Sequence, residues 1–179
     1  MALVIMTGAS GSGKTAIAET IEKNHPSITV FRFDTIGVPS ADVMATFGTD
    51  DQPGGAWMRA MTLKWFDRIA PLLNEGKRVL FEGQMRIAFI QEALTVFAIE
   101  NGCVLCVECD DYTRTQRLTH DRLQPELANE SMMGWSRYLH REALEAGYEI
   151  LDTTNLSLSE SVKAVLSIFE DYPKPIEKG

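Results

Sequence analysis

Eight consecutive residues carry the clearest chemistry in the chain. Gly8-Ala9-Ser10-Gly11-Ser12-Gly13-Lys14-Thr15 matches the pattern G-x-x-x-x-G-K-[ST] at every fixed position. Glycines at this spacing let the backbone curl, so that successive N–H groups point inward at an anion. A helix that begins at the lysine turns its positive end toward the same place. The pattern predicts a cradle for the phosphates of a nucleoside triphosphate, built from Gly8, Ser10, Gly11, Ser12 and Gly13. Lys14 reaches the β- and γ-phosphates and the Thr15 hydroxyl is a ligand for Mg²⁺. Other chemistries find less support. Cys103, Cys106 and Cys109 have C-x2-C-x2-C spacing, but the segment reads as a buried strand, on which residues three apart face opposite sides. His25, His120 and His140 are isolated from one another, with no partner at metal-ligand spacing. No G-x-S-x-G elbow is present.

The elements that must position the loop alternate between strand-like and helix-like runs, which predicts an α/β fold with a parallel sheet. Strands are expected over 2–6, 28–33, 78–82, 103–108 and 148–151. Helices are expected over 14–23, 56–73, 87–100, from Asp110 or Asp111 through Arg117, and over 131–146 and 157–170. Asn101-Gly102 is read as the stop of the helix that starts at Ile87, and Ser157 with Glu160 as a capping box. Trp57, Met58, Met61 and Trp65 share a helical face suited to core packing. Two stretches fit neither period: 35–55, rich in Gly, Pro and Asp, and 123–130. Long irregular segments of this kind are commonly lids or substrate loops.

Composition narrows the classes further. The chain has 179 residues, 45% of them hydrophobic and 23% charged, an ordinary globular balance for one domain over 1–179. A net charge of −8 argues against wrapping a nucleic acid or docking on an anionic membrane. The apolar run at the start lacks a basic flank and stops at the glycine-rich loop, so it reads as a first strand in a cytoplasmic protein. A monomer or weak homodimer is expected. A guanine-reading NKxD-like segment is absent, and the length leaves little room for the extra elements of a motor ATPase.

With the loop, the strand–helix alternation and the length together, the chain resembles the P-loop kinases of the nucleoside-monophosphate-kinase-like group, which includes gluconate, shikimate, chloramphenicol and zeta-toxin-type kinases. The resemblance implies a P-loop NTPase three-layer αβα sandwich with a short lid, and the expected order of the five-stranded parallel sheet is 2-3-1-4-5. In FRFDTIGVP, Asp34 stands where these kinases place an acid against the acceptor hydroxyl. Such a carboxylate, at the carboxyl end of a strand, can take the proton as the hydroxyl attacks phosphorus. RVLFEGQMR is similar to the zeta-toxin run E-G-T-x-R, with Gln84 in place of Thr. It implies Glu82 as a metal-side carboxylate, and Arg86 as a contact to substrate or the transferring phosphoryl group. Arg114, Arg117 and Arg122, the last two within RLTHDRLQP, resemble the lid region, expected over 118–134. Arg117 would stack on adenine and Arg122 would close over the phosphates, tasks that suit a planar guanidinium. YEILDTTN looks like the last strand and adenine-bordering loop, which points to Asp152 through Asn155. Asp34, Pro39, Gly48, Asp50-Asp51 and Trp57 have a faint likeness to gluconate kinases.

The expectation is therefore an ATP- and Mg²⁺-dependent kinase acting on a hydroxyl of a small polar acceptor such as a sugar or sugar acid. Lys14, Asp34, Arg86 and Arg122 are its catalytic residues. Gly8, Ser10, Gly11, Ser12, Gly13, Lys14, Thr15, Arg117 and Asp152 bind nucleotide, and Thr15 and Glu82 face the metal. The alternatives are a zeta-toxin-like nucleotide-sugar or antibiotic kinase, a nucleoside or nucleoside monophosphate kinase, and a non-catalytic ATP-binding sensor.

Overall fold

The computed structural model describes residues 3–37, 39–48 and 55–170. Five parallel strands, β1 (Leu3–Thr7), β2 (Ile28–Arg32), β3 (Arg78–Glu82), β4 (Gly102–Glu108) and β5 (Glu149–Asp152), lie in the order β2-β3-β1-β4-β5. The strand order expected from the sequence is the one observed. All four pairings are parallel, with Ile5 opposite both Phe81 and Val104 in the middle of the sheet.

The central strands are apolar at nearly every position because both of their faces are covered. Alternate residues serve opposite layers. Leu3, Ile5, Val79, Phe81, Val104 and Cys106 face a cluster with Trp65, Phe66, Ile90 and Leu139. Those residues come from α3 (Gly55–Asn74), α4 (Ile87–Val96) and α6 (Glu130–Glu145). Val4, Met6, Leu80, Leu105 and Val107 face the other cluster, against α1 (Lys14–Asn24) and α7 (Leu158–Glu170). Cys106 lies in the first cluster while Cys103 packs against the second, as the strand period requires. Among the described residues no group of three or more His, Cys, Asp or Glu side chains is arranged to hold a metal ion. No described helix is long and apolar enough to cross a membrane.

Several boundaries differ from the sequence reading. α4 ends at Val96, short of Asn101-Gly102, and closes with Ala98 in the left-handed region (φ 51°) and an Ile99 N–H donated to Leu94 O at 2.9 Å. Gly102 instead opens β4, where a side chain would meet Leu94 Cδ2 at 2.8 Å. β2 stops at Arg32, and Phe33–Ile36 forms a single 3₁₀ turn. Within 35–55, read as irregular, Ala41–Ala45 forms a short helix, α2; Asp50-Asp51 lie outside the described residues, as does the segment after Glu170. After α5 (Asp111–Gln116), the lid region runs through a π-helical turn, Arg117–Asp121, and a 3₁₀ turn, Pro125–Leu127. The Ser157–Glu160 capping box is present, with the Ser157 N–H donating to Glu160 Oε2 at 2.8 Å and the Glu160 N–H to Ser157 Oγ at 3.2 Å.

Candidate active site

The phosphate loop spans the turn from β1 to α1, and its shape depends on missing side chains. Gly8 has φ 143°, and a Cβ there would lie 2.1 Å from Val107 O, so only glycine fits beneath β4. Gly13 precedes α1 with φ 98° and provides no side-chain cap, leaving the first N–H groups of the helix available to an anion. The Lys14 ammonium folds into the loop and donates to Ala9 O at 3.0 Å and Ser12 Oγ at 3.3 Å. Burial lowers its pKa from 10.5 to about 8, against the opposing pull of the Glu82 and Asp34 carboxylates.

Those two carboxylates converge on the lysine from neighbouring strands. Glu82 ends β3, is buried, and accepts a hydrogen bond from Thr15 Oγ1 at 3.4 Å. Burial pushes its carboxyl up, with Lys14 pulling the other way and Asp34 adding to the rise. A buried carboxylate beside a hydroxyl is a hard oxygen pair suited to Mg²⁺, which takes one or two protein oxygens and completes its shell from phosphates and water. Asp34 sits exposed in the 3₁₀ turn after β2. The turn is anchored by Trp65 Nε1, which donates to Phe33 O at 3.2 Å, and by Thr35 Oγ1, which donates to Arg32 O at 2.7 Å. Gly83 presses on the same turn: a Cβ there would fall 2.5 Å from Phe33 Cβ.

On the other side of the loop lies a cavity of about 420 Å³, bordered by Gly13, Thr15, Arg117, Arg122, Thr153 and Leu156. Arg117 is held in place there, with one terminal nitrogen donating to Thr153 Oγ1 at 2.8 Å and the other to Thr153 O at 2.9 Å. Thr153 is buried, and its hydroxyl lies 2.9 Å from both Ser12 O and Glu108 O as acceptors. It therefore ties the loop, the lid arginine and the end of β4 together. Arg122 is exposed at the rim of the cavity. Asp152, expected to bind nucleotide, is turned away. Its carboxylate accepts the Thr154 N–H at 2.9 Å and lines a separate groove with Glu108, Asp110 and His140. In a parallel strand's last residues successive side chains point to opposite sides, so Thr153 enters the cavity and its neighbour does not.

Two arginines have other places than the sequence reading gave them. Arg114 is completely buried beneath the loop. Its guanidinium donates to Ser10 O at 2.7 Å, Cys109 O at 3.0 Å and Ser136 Oγ at 2.7 Å. Arg86, expected to touch substrate or the phosphoryl group, is buried in an ion pair with Glu142 at 2.5 Å and packs over the rings of Phe89 and Tyr138. Glu142 also accepts from Tyr138 Oη at 2.9 Å and from the Ile87 N–H at 3.2 Å. Gln84, the departure from the E-G-T-x-R run, donates to Ser10 Oγ at 3.1 Å and so braces the loop from β3. Of the residues the sequence singled out, Lys14, Thr15, Glu82 and Asp34 gather at one end of the sheet, with Arg117 and Arg122 across the loop. Glu142 was missed, while Arg114 was named only with the lid arginines and Thr153 only as part of the segment from Asp152 to Asn155.

No protein-family model matches the chain, and no curated protein matches it in sequence. Solved structures do match its fold. A sugar kinase from a Janibacter species, without ligand, superposes with a TM-score of 0.67 at 17% identity, over 95% of each chain. A gluconokinase from Sinorhizobium meliloti gives 0.63 at 14% identity, over 95% of this chain and 92% of its own. Shikimate kinase from Acinetobacter baumannii, bound to shikimate, gives 0.59 at 15% identity, over 96% of this chain and 94% of its own. The chain has the P-loop, nucleoside-monophosphate-kinase-like fold of these small-molecule kinases.

Proposed function

We propose that the protein transfers the γ-phosphoryl group of Mg·ATP to a hydroxyl of a small polar acceptor. The observation that carries this reading is the convergence of Lys14, Glu82 and Asp34, each acting electrostatically on the others, at the carboxyl ends of β1, β3 and β2. On this reading they supply a phosphate-binding ammonium, a metal-side carboxylate and a base at the end of the sheet where ligands of parallel α/β folds bind. Lys14 exchanges Ala9 O and Ser12 Oγ for phosphate oxygens, and the open N–H groups of α1 hold the same anion. Arg117, fixed by Thr153, offers its plane to the base, and Arg122 closes from the rim. Thr15 and Glu82 would hold Mg²⁺, which when bound neutralises phosphate charge. Asp34, exposed and unburdened by a salt bridge among the described residues, accepts the acceptor's proton as its oxygen bonds to phosphorus and ADP departs. The fold likeness to sugar, gluconate and shikimate kinases supports the same reaction class.

The test is ADP release from Mg·ATP with and without a panel of hydroxyl compounds. At least one compound accelerates release, and Asp34→Asn loses the acceleration while keeping ATP binding. An Asp34→Asn enzyme that responds to the acceptor as wild type does would refute the role given to it.

A further inference from the structure

The phosphate loop is held from behind, and each hold fixes one of its amides. Ser10 O accepts from an Arg114 terminal nitrogen at 2.7 Å and Gly11 O from an Arg117 terminal nitrogen at 3.4 Å, while Ser12 O lies 2.9 Å from the Thr153 hydroxyl. No peptide bond among the described residues is cis, and in a trans peptide the C=O and the following N–H point to opposite sides. A carbonyl drawn outward therefore turns the next N–H inward. Arg114 does this for Gly11, Arg117 for Ser12 and Thr153 for Gly13. The Gly11 and Gly13 N–H groups have no acceptor among the described residues, which leaves them for an anion.

Arg114 differs from the other two in its burial. It is fully enclosed, and its stem lies directly under Gly11, where a Cβ would meet Arg114 Cγ at 3.0 Å. Its acceptors are Ser10 O, Cys109 O and Ser136 Oγ, and its Nε has none among the described residues. No described Asp or Glu forms an ion pair with it. The other buried arginine, Arg86, is neutralised by Glu142. A charge withdrawn from water is normally paired in this way. The field of Arg114 also reaches the interior of the loop. Burial is the main reason that the Lys14 pKa falls to about 8; Arg114 adds to the fall, and Glu82, Asp34 and Cys106 oppose it.

The missing counter-charge fits the phosphates for which the loop above Arg114 is shaped. Resting on the nucleotide-binding part of the reading above and not on its acceptor, we propose that Arg114 is a positioning residue of the phosphate site: from beneath the loop it turns the Gly11 N–H toward the nucleotide's phosphates, and those phosphates are the counter-charge to its buried guanidinium.

The test titrates Mg·ADP by calorimetry into wild type, Arg114→Met and Arg114→Lys from pH 7 to 9.5, with circular dichroism to show that each is folded. Wild-type affinity should hold steady up to the Lys14 pKa of about 8 and fall above it, as the ammonium loses its proton. Arg114→Met should bind roughly a hundredfold more weakly. Its fall should move to higher pH, because the like charge that helps to deprotonate Lys14 is gone. Arg114→Lys keeps the charge and loses the fork, so it should bind roughly tenfold more weakly, with its fall where wild type has it. A second readout, which decides the matter if Arg114→Met does not fold, is the set of amide signals of the loop in ¹⁵N NMR spectra. Mg·ADP should move the Gly11 and Gly13 amide protons of wild type downfield together. In Arg114→Lys the Gly11 shift should shrink while that of Gly13, set by Thr153, stays. Wild-type affinity in either folded variant overturns the proposal. So does a weakened Arg114→Met whose fall stays at the wild-type pH, and so do Gly11 and Gly13 shifts that shrink in parallel. A wild type that does not bind Mg·ADP removes the nucleotide reading and the proposal with it.

Discussion

Replacing Lys14 by Met should stabilise the empty protein while removing its nucleotide site. The ammonium is buried and its pKa lies at about 8 instead of 10.5, so holding the charge in place at neutral pH costs about 3 kcal/mol. Met removes that cost but forfeits the bonds to Ala9 O and Ser12 Oγ, which offsets about 1–2 kcal/mol. The net gain of about 1–2 kcal/mol corresponds to a melting temperature about 2–8 °C higher for a chain of this size. The pH dependence follows from the lowered pKa. Below pH 8 folded and unfolded states both hold the proton, and the cost is fully felt. Between pH 8 and 10.5 the unfolded chain still holds a proton that the folded state has released, so wild-type stability rises with pH. Thermal melts of wild type and Lys14→Met without nucleotide, at pH 7, 8.5 and 9.5, should show the mutant ahead at pH 7 and its advantage shrinking as pH climbs. A mutant that melts below wild type at pH 7, or a difference that does not change with pH, would refute the argument. Mg·ATP should raise the wild-type melting temperature and leave the mutant's unmoved.

Other predictions concern the framework of the loop. Arg114→Met should cost about 3 kcal/mol or more, since it leaves Ser10 O and Cys109 O without their buried donor; urea unfolding measures it, with Arg114→Lys recovering part of the loss. Gly8→Ala should lose ATP binding in a titration calorimeter, because the new Cβ would lie 2.1 Å from Val107 O and force the loop from β4. Thr153→Val keeps the volume but removes the acceptor of Arg117 and the bond to Ser12 O. It should weaken ATP binding by about tenfold and change the acceptor's KM little.

How far the sequence could be read depended on the range of the interaction. The phosphate loop is contiguous, its glycine positions are dictated by local backbone geometry, and it was legible in full. The strands were also legible, because two-faced burial makes the runs at Leu3–Thr7 and Gly102–Glu108 largely apolar; their order was expected together with the resemblance to the P-loop kinases and not from the runs themselves. Arg114 was not, because its partners Ser10 and Ser136 lie 104 and 22 residues away and nothing in a helix face dotted with arginines marks the one that turns inward. The same holds for Arg86, whose expected contact with substrate depended on no carboxylate being near; Glu142 is 56 residues on, one turn past Tyr138 on α6. YEILDTTN was recognised as a site segment, but its strand was placed one residue early. The segment from Asp152 to Asn155 was named as a whole, and nothing local marks Thr153 as the one that enters the cavity, because its hydroxyl's partners Ser12 and Glu108 lie 141 and 45 residues away.

The most direct measurement of the central claim is the fate of the γ-phosphoryl group. Wild type is incubated with γ-³²P-labelled ATP, Mg²⁺ and the acceptor that most accelerates ADP release, and the products are separated. The account predicts label in an acid-stable phosphate ester of the acceptor, one for each ADP formed, and none when Lys14 is Met or Asp34 is Asn. Label recovered only as inorganic phosphate, or remaining in ATP that binds without turnover, would contradict it.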